Sequence, residues 1–214
     1  MTHHVLVTGF EPYGGMPSNP ASAAALALDG RTVAGCRVRG VELPVSMTSI
    51  RALIGDLIEE TQPKAIICLG MYPGESVIRI ERVGLNVADF GLADNEGVTM
   101  ADQPVAANGP AARMATLPIR AIERALLKSG TPARISQTAG TYLCNACLYT
   151  ALDLAGAAPC GFLHVPMTPE LVALRVAAAR PDALERDPPP SMELARIIAA
   201  VEIAIAVTLG VTVS

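Results

Sequence analysis

Two thiols one helical turn apart, Cys144 and Cys147 in TAGTYLCNACLYTAL, are the residues of this sequence best placed for covalent chemistry. Such a C-x-x-C pair can be a redox couple, half of a metal site, or one nucleophile beside a bystander. ARISQTAG reads as a strand, GTY as a turn and CNACLYTALDLAG as a helix, so Cys144 falls at a helix N-terminus. Backbone N–H groups that lack intrahelical partners stabilise a thiolate there, and the thiol is expected to ionise more readily than a free cysteine. The same donors can hold a developing oxyanion. Strand, tight Gly turn, nucleophile and helix recur in that order in hydrolases. Against a redox enzyme stand the late position of the pair, the absence of Trp, and Asn145 and Ala146 as linking residues. Structural zinc needs two further ligands, and no second C-x-x-C or H-x-x-x-H is present, so no metal is expected. Cys147, one turn into the helix, is expected to be a packed small residue whose oxidation with Cys144 would be inhibitory.

A nucleophilic cysteine needs a base, and the chain has three histidines, His3, His4 and His164. The first two precede the first strand. His164 closes the strand GFLHVP, where two parallel elements can bring imidazole and sulfur together. An acceptor must then fix the imidazole tautomer. Glu81 interrupts the apolar strand VIRIERVGLNV, where an ionised side chain is expensive unless paired, which makes it the first candidate. Asp94 in the turn-like DNEG is the second, against its ordinary reading as a turn residue bonding its own backbone. Phe10 and Tyr13 lie in the Gly/Pro stretch VTGFEPYGGMPSNP, and loop aromatics at a strand end suggest the walls of a small, flat, apolar pocket. That stretch lacks the Lys-Ser/Thr and G-x-G-x-x-G features of nucleotide loops.

The elements that must position these groups alternate. HVLVTGF, KAIICLG, ARISQTAG and PCGFLHVP read as strands buried on both faces, and RVRGVELP and SVIRIERVGLNVADF as partly exposed strands. Helices are predicted over Pro20 to Leu28 behind the cap Asn19, Ser46 to Glu60, Leu117 to Lys128 before Gly130, and from near Ser191 after the proline-rich DPPP. This order predicts an α/β protein with a twisted, mainly parallel central sheet between two helical layers, and ligands beyond the carboxyl ends of its strands. A length of 214 residues fits one domain, 1–214. Arg196 and Glu202 interrupt the long apolar run at the C-terminal end, which therefore reads as a buried helix, with apolar surface hinting at a subunit contact, rather than a membrane span. The N-terminal MTHHVLVTGF enters a strand at once, and five scattered cysteines fit a reducing compartment, so a cytoplasmic protein is expected. A net charge of −4 without Lys/Arg clusters argues against nucleic acid or an anionic membrane as partner and leaves a small or peptidic substrate.

VLVTGFEPYGG with SNP, LPVS, ICLG, ERVGLN, DNEG, TLPIRAI, TAGTYLCN and GFLHVPMTPE, in that order over nearly the whole chain, closely resemble pyroglutamyl peptidase I, or pyrrolidone-carboxylate peptidase, a family of cysteine peptidases. The resemblance implies an α/β/α sandwich, no cofactor, frequent homotetramers, and removal of an N-terminal pyroglutamyl residue from peptides. It implies Cys144 as nucleophile, His164 as base and Glu81 as the residue that orients it. It also implies that Phe10 and Tyr13 hold the pyroglutamyl ring, with Met16, Met71, Leu92, Tyr142 and Leu143 around them. Tyr13, Met16 and Tyr142 stand where relatives commonly have phenylalanine, and Gly91 stands where many have an arginine before the DNEG turn. Loss of that cation predicts a slower enzyme, or, as the alternative, a binding protein of the same fold with a weakened site. Cys147 replaces a plain apolar residue.

Overall fold

In the strand Ala65–Met71 every residue is buried. Ala65, Ile67 and Leu69 enter one hydrophobic cluster while Ile66 and Cys68 enter a second, as the two-residue period of a strand requires. A strand apolar on both faces is stable only between two helical layers. The computed structural model describes residues 3–178 and 188–211, and their elements build that arrangement. The strands are β1 (His4–Phe10), β2 (Thr32–Val33), β3 (Cys36–Leu43), β4 (Ala65–Met71), β5 (Ile78–Glu81), β6 (Val83–Leu85), β7 (Ala88–Phe90), β8 (Met100–Gln103), β9 (Ala112–Met114), β10 (Ala133–Ser136) and β11 (Cys160–Val165). The helices are α1 (Pro20–Leu28), α2 (Ile50–Thr61), α3 (Ile119–Lys128), α4 (Leu143–Leu154), α5 (Pro169–Ala178) and α6 (Leu194–Thr208). Apolar residues of α1, α3 and α6 cover one face of the main sheet, and those of α2 and α4 cover the other.

The main sheet has the order β10-β5-β11-β4-β1-β3-β2. Its centre, β11-β4-β1-β3, is parallel as expected. β5 and β10 are parallel to each other but run against β11, and β2 folds back on β3 through Ala34 and Gly35, both at positive φ. The reversal at β5 follows from chain length: Tyr72 to Val77 is too short for the crossover that a parallel strand needs. SVIRIERVGLNVADF, read as one partly exposed strand, is three: β5 is fully buried in the main sheet, while β6 and β7 pair outside it with β9 and β8.

Asn19 caps α1 by accepting the N–H of Ala21, and the helix keeps the predicted bounds. α4 starts one residue before its predicted beginning, at Leu143, and the three remaining predicted helices start later than their sequence patterns. Ser46 accepts the N–H of Ser49 in a turn before α2, and Pro118 precedes α3, because these polar and proline residues hold non-helical conformations at helix entrances. α6 starts at Leu194, and its Ile197, Val201, Ala204 and Ile205 lie against the sheet. No helix among the described residues is long and apolar enough to cross a membrane.

Candidate active site

Register across the main sheet assembles the chemistry. On the face covered by α2 and α4, one row runs Ser136, Glu81, Phe162, Cys68 and Thr8, and the next runs Arg134, Arg79, His164 and Gly70. Glu81 is thus diagonal to His164, within reach for a side-chain pair. Glu81 is 0% exposed and His164 2%. Nδ1 of His164 donates to Oε1 of Glu81 at 2.8 Å; a carboxylate only accepts, so Nδ1 carries a proton and Nε2 is the ring nitrogen outside the pair. Phe162 and Tyr72 pack on the imidazole, with ring centroids 4.8 and 5.5 Å away.

The sulfur reaches the same place from above. A Cβ added to Gly70 would lie 2.7 Å from Cys144 Sγ and 2.7 Å from Phe162 Cζ. Gly70 is the strand partner of His164, so Sγ stands over the sheet one strand, about 4.8 Å, from the imidazole row. Only a residue without a side chain admits it. The turn that delivers Cys144 contains Gly140 at φ +80, and α4 is fixed by the buried Asn145, whose side chain accepts the N–H of Leu85 and donates to the carbonyls of Leu85 and Val87. Ala146 is the first residue of α4 whose N–H bonds back, to Tyr142, and Tyr142 offers no side-chain cap. The N–H groups of the first turn therefore have no intrahelical acceptor and face the region of the sulfur.

The expected low thiol pKa is not what this environment produces. Burial pushes the Cys144 thiol up to about 12, and the Glu81 charge adds to the rise, while the bond from its own backbone N–H opposes it. Desolvation and a nearby carboxylate work against the helix start and favour the neutral thiol over the thiolate. Cys147 is fully buried, and its bond with the Cys68 thiol, together with burial, holds it well above the ordinary thiol range. It packs beneath the site, as expected.

A narrow slot with room of about 10 Å³ opens beside Cys144, lined by Phe10, Tyr13, Asn19, Val45, Met71, Tyr142, Leu143 and Cys144. Five of the seven residues expected to surround the ring are therefore brought together. Phe10 is not on a loop: it ends β1 and is 3% exposed, its ring in the core. Met16 lies behind the slot, packed with Met71, Met167 and Leu171. Leu92 is 55% exposed, outside the lining, where its Cδ2 comes 4.0 Å from a Cβ built on Gly14. Tyr13 and Tyr142 stand with ring centroids 5.9 Å apart; burial first, then the Cys144 charge, raises the Tyr13 hydroxyl to about 12. Asn19 and Val45 were not expected here. Asn19 is visible in the sequence as a cap, and its Nδ2 also donates to the Glu11 carbonyl.

Asp94 is not a partner of the imidazole. Its carboxylate accepts the N–H groups of Met47, Glu96 and Val98 at 2.8–2.9 Å; burial works to raise its pKa, but these bonds prevail and lower it. It pins the loop after β7 to the loop after β3, close to the slot. A Cβ at Gly91 would meet nothing within 4 Å, so this position leaves open space near the slot. Among the described residues no cluster of three or more His, Cys, Asp or Glu could hold a metal ion.

Comparison with known proteins identifies the family of the chain. The model of the pyroglutamyl peptidase family matches residues 3–210. A pyrrolidone-carboxylate peptidase of Thermococcus onnurineus is 40% identical over 209 residues, covering 96% of this chain and 98% of its own. Another, of an Enterobacter species, is 38% identical over 213 residues, 96% of this chain and 92% of its own. The crystal structure of a mutant pyrrolidone carboxyl peptidase from P. furiosus superposes with a TM-score of 0.90 at 37% identity, over 97% of this chain and 98% of that one. The pyrrolidone carboxyl peptidase of Thermococcus litoralis gives 0.91 at 38% identity, over 98% and 94%. The chain belongs to the pyroglutamyl peptidase family, and is a cysteine peptidase that removes N-terminal pyroglutamate from peptides.

Two outcomes follow from the geometry. Gly70→Ala is expected to displace the sulfur and lower kcat by about a hundredfold, the order of loss for an ångström of misplacement, while the protein stays folded; steady-state kinetics with a thermal melt checks both. Between pH 6 and 9 the ultraviolet thiolate band of the resting protein minus that of Cys144→Ala should be absent and should grow only at strongly alkaline pH. A band already developed below neutrality would mean a preformed thiolate–imidazolium pair.

Proposed function

We propose that this activity runs through Cys144 as nucleophile, His164 as base and Glu81 as the residue that orients and charges the imidazole. Nε2 of His164 takes the thiol proton as Sγ attacks the pyroglutamyl carbonyl, and the oxyanion is received by the free N–H groups at the start of α4. His164, now imidazolium, gives its proton to the departing amine, and the peptide leaves. Water, deprotonated by the same imidazole, cleaves the thioester and releases pyroglutamate with the thiol restored. The observation that carries this reading is the 2.8 Å bond from His164 to a fully buried Glu81, with Sγ lying over the adjoining Gly70.

Substrate selection follows from the slot. An N-terminal pyroglutamyl group is a flat, uncharged lactam without the amine that ordinary aminopeptidases grip. Phe10, Tyr13, Met71, Tyr142 and Leu143 offer it an apolar recess, with Met16 supporting Met71 from behind and Leu92 reserved for the mouth. Pairing of the lactam N–H and C=O with polar groups at the slot would reject rings that cannot form those bonds. Gly91 supplies no cation to the oxyanion, and a slower turnover than in arginine-bearing relatives is part of this reading.

The same reading takes the chain as one domain over residues 1–214, needing no cofactor, at work in the cytoplasm as a homo-oligomer, with the tetramer implied by family resemblance. The five free cysteines support the reducing compartment. Exposed Leu26, Leu127 and Leu174 support association.

A pyroglutamyl amide of a fluorophore should be cleaved, and iodoacetamide should stop it. Cys144→Ala is expected to lower kcat by at least about a thousandfold, the order seen when a nucleophile is removed, and Cys147→Ala to leave it within a fewfold. Undiminished hydrolysis by Cys144→Ala would reject the assignment.

A further inference from the structure

Among the described residues Arg79 is the one buried cation beside the proposed triad, and its guanidinium touches five different partners. Nη2 donates to Ser136 Oγ at 2.7 Å and to the Thr138 carbonyl at 3.0 Å. Nε lies 3.2 Å from Glu81 Oε1, the oxygen that also accepts from His164; the contact is ionic, its angle short of a directed hydrogen bond. Nη1 lies 3.5 Å from Glu75 Oε1, and the Tyr72 ring covers the guanidinium at 3.8 Å. Glu75 is in turn held by both sides of the Arg134 fork, at 2.6–3.1 Å. Charges thus alternate from the surface inward: Arg134, Glu75, Arg79, Glu81, and then the imidazole. The hydroxyl of Ser136 passes from Arg79 to the same Thr138 carbonyl, in the turn that carries Cys144.

We propose that Arg79 is a positioning residue for this reaction, which neutralises Glu81 enough to keep His164 a free base and ties that carboxylate to the turn bearing the nucleophile. The inference rests on the triad reading above. Glu81 Oε2 has no hydrogen-bond partner among the described residues, so the charge of this carboxylate is balanced through Oε1, by Arg79 on one side and His164 on the other. Without the guanidinium the imidazole becomes the only counter-charge, and a buried carboxylate then favours imidazolium strongly. An imidazolium cannot take the thiol proton. The titratable groups around His164 are Glu81 at 2.8 Å and Tyr72 against its ring, with Arg79, Glu75 and Arg134 beyond Glu81 and Cys144 over the neighbouring Gly70. Of these, Arg79 and Glu75 carry opposite charges, and neither is itself a member of the proposed triad.

The test is the acid limb of the pH profile of kcat/KM for the pyroglutamyl amide, together with an NMR titration of the His164 imidazole. Arg79→Gln should move both to higher pH by about one unit or more, the order of shift for a lost buried counter-charge. Arg79→Lys, which keeps the charge and loses the fork, should leave the limb near its place with a lower kcat. Glu75→Gln, at a partly exposed site, removes an anion that offsets Arg79 and should move the limb the other way, by a smaller amount. A purely structural Arg79 would lower kcat at every pH and shift nothing. If Arg79→Gln does not fold, Glu75→Gln decides: a limb that stays put or moves up overturns the proposal. Wild-type protein that does not cleave the amide would sink the triad reading, whereas cleavage lost in Cys144→Ala with unmoved limbs and unmoved imidazole titrations sinks only the role of Arg79.

Discussion

A carboxylate with no exposed surface, Glu81, accepts a proton-bearing nitrogen of His164 at 2.8 Å, and burial makes that bond strong and costly to leave incomplete. The strand arrangement around it follows from this constraint. Glu81 needs a cation, which Arg79 supplies from two residues earlier on the same face of β5. His164 is diagonal to it across the antiparallel pair of β5 and β11, and the short segment after β4 produces that reversal. The sulfur has to come down onto this face, and Gly70 leaves the space. Remove the pair and the antiparallel edge of an otherwise parallel sheet has no chemical use.

The same surroundings act on the sulfur of Cys144. A helix start favours a thiolate, but desolvation and the nearby Glu81 carboxylate work against it and raise the thiol pKa. In the mechanism proposed above, the proton and the attack are coupled through His164, and the free N–H groups of α4 receive the oxyanion.

Much of this was legible in the sequence, for identifiable reasons. Cys144 at a helix start, His164 at a strand end and Glu81 interrupting an apolar run each break a local pattern, and a broken pattern is visible in one dimension. The bounds of α1 were legible because Asn19 and Pro20 are unambiguous entrance residues. What stayed hidden depends on register and sheet order. Nothing local says that Ile78–Glu81 enters the main sheet while Val83–Leu85 leaves it, or that Gly70 will lie opposite His164. Phe10 was misplaced because a strand end and a loop start look alike before a Gly/Pro stretch. The direction of the Cys144 shift was misread because a sequence displays the helix start and conceals the burial. Arg79 had a signal, an in-facing charge two positions from Glu81, and its meaning appears only when both are seen buried on one face.

The central claim is that the covalent step takes place on Cys144. Rapid acid quench of the wild-type protein turning over a pyroglutamyl ester, followed by peptide mass spectrometry, tests it most directly. A pyroglutamyl adduct, sensitive to hydroxylamine, on the peptide spanning Thr138–Leu152 and assigned by fragmentation to position 144 is the predicted result. An adduct assigned to position 147, or rapid turnover with no acylated sulfur at any time, would contradict the account.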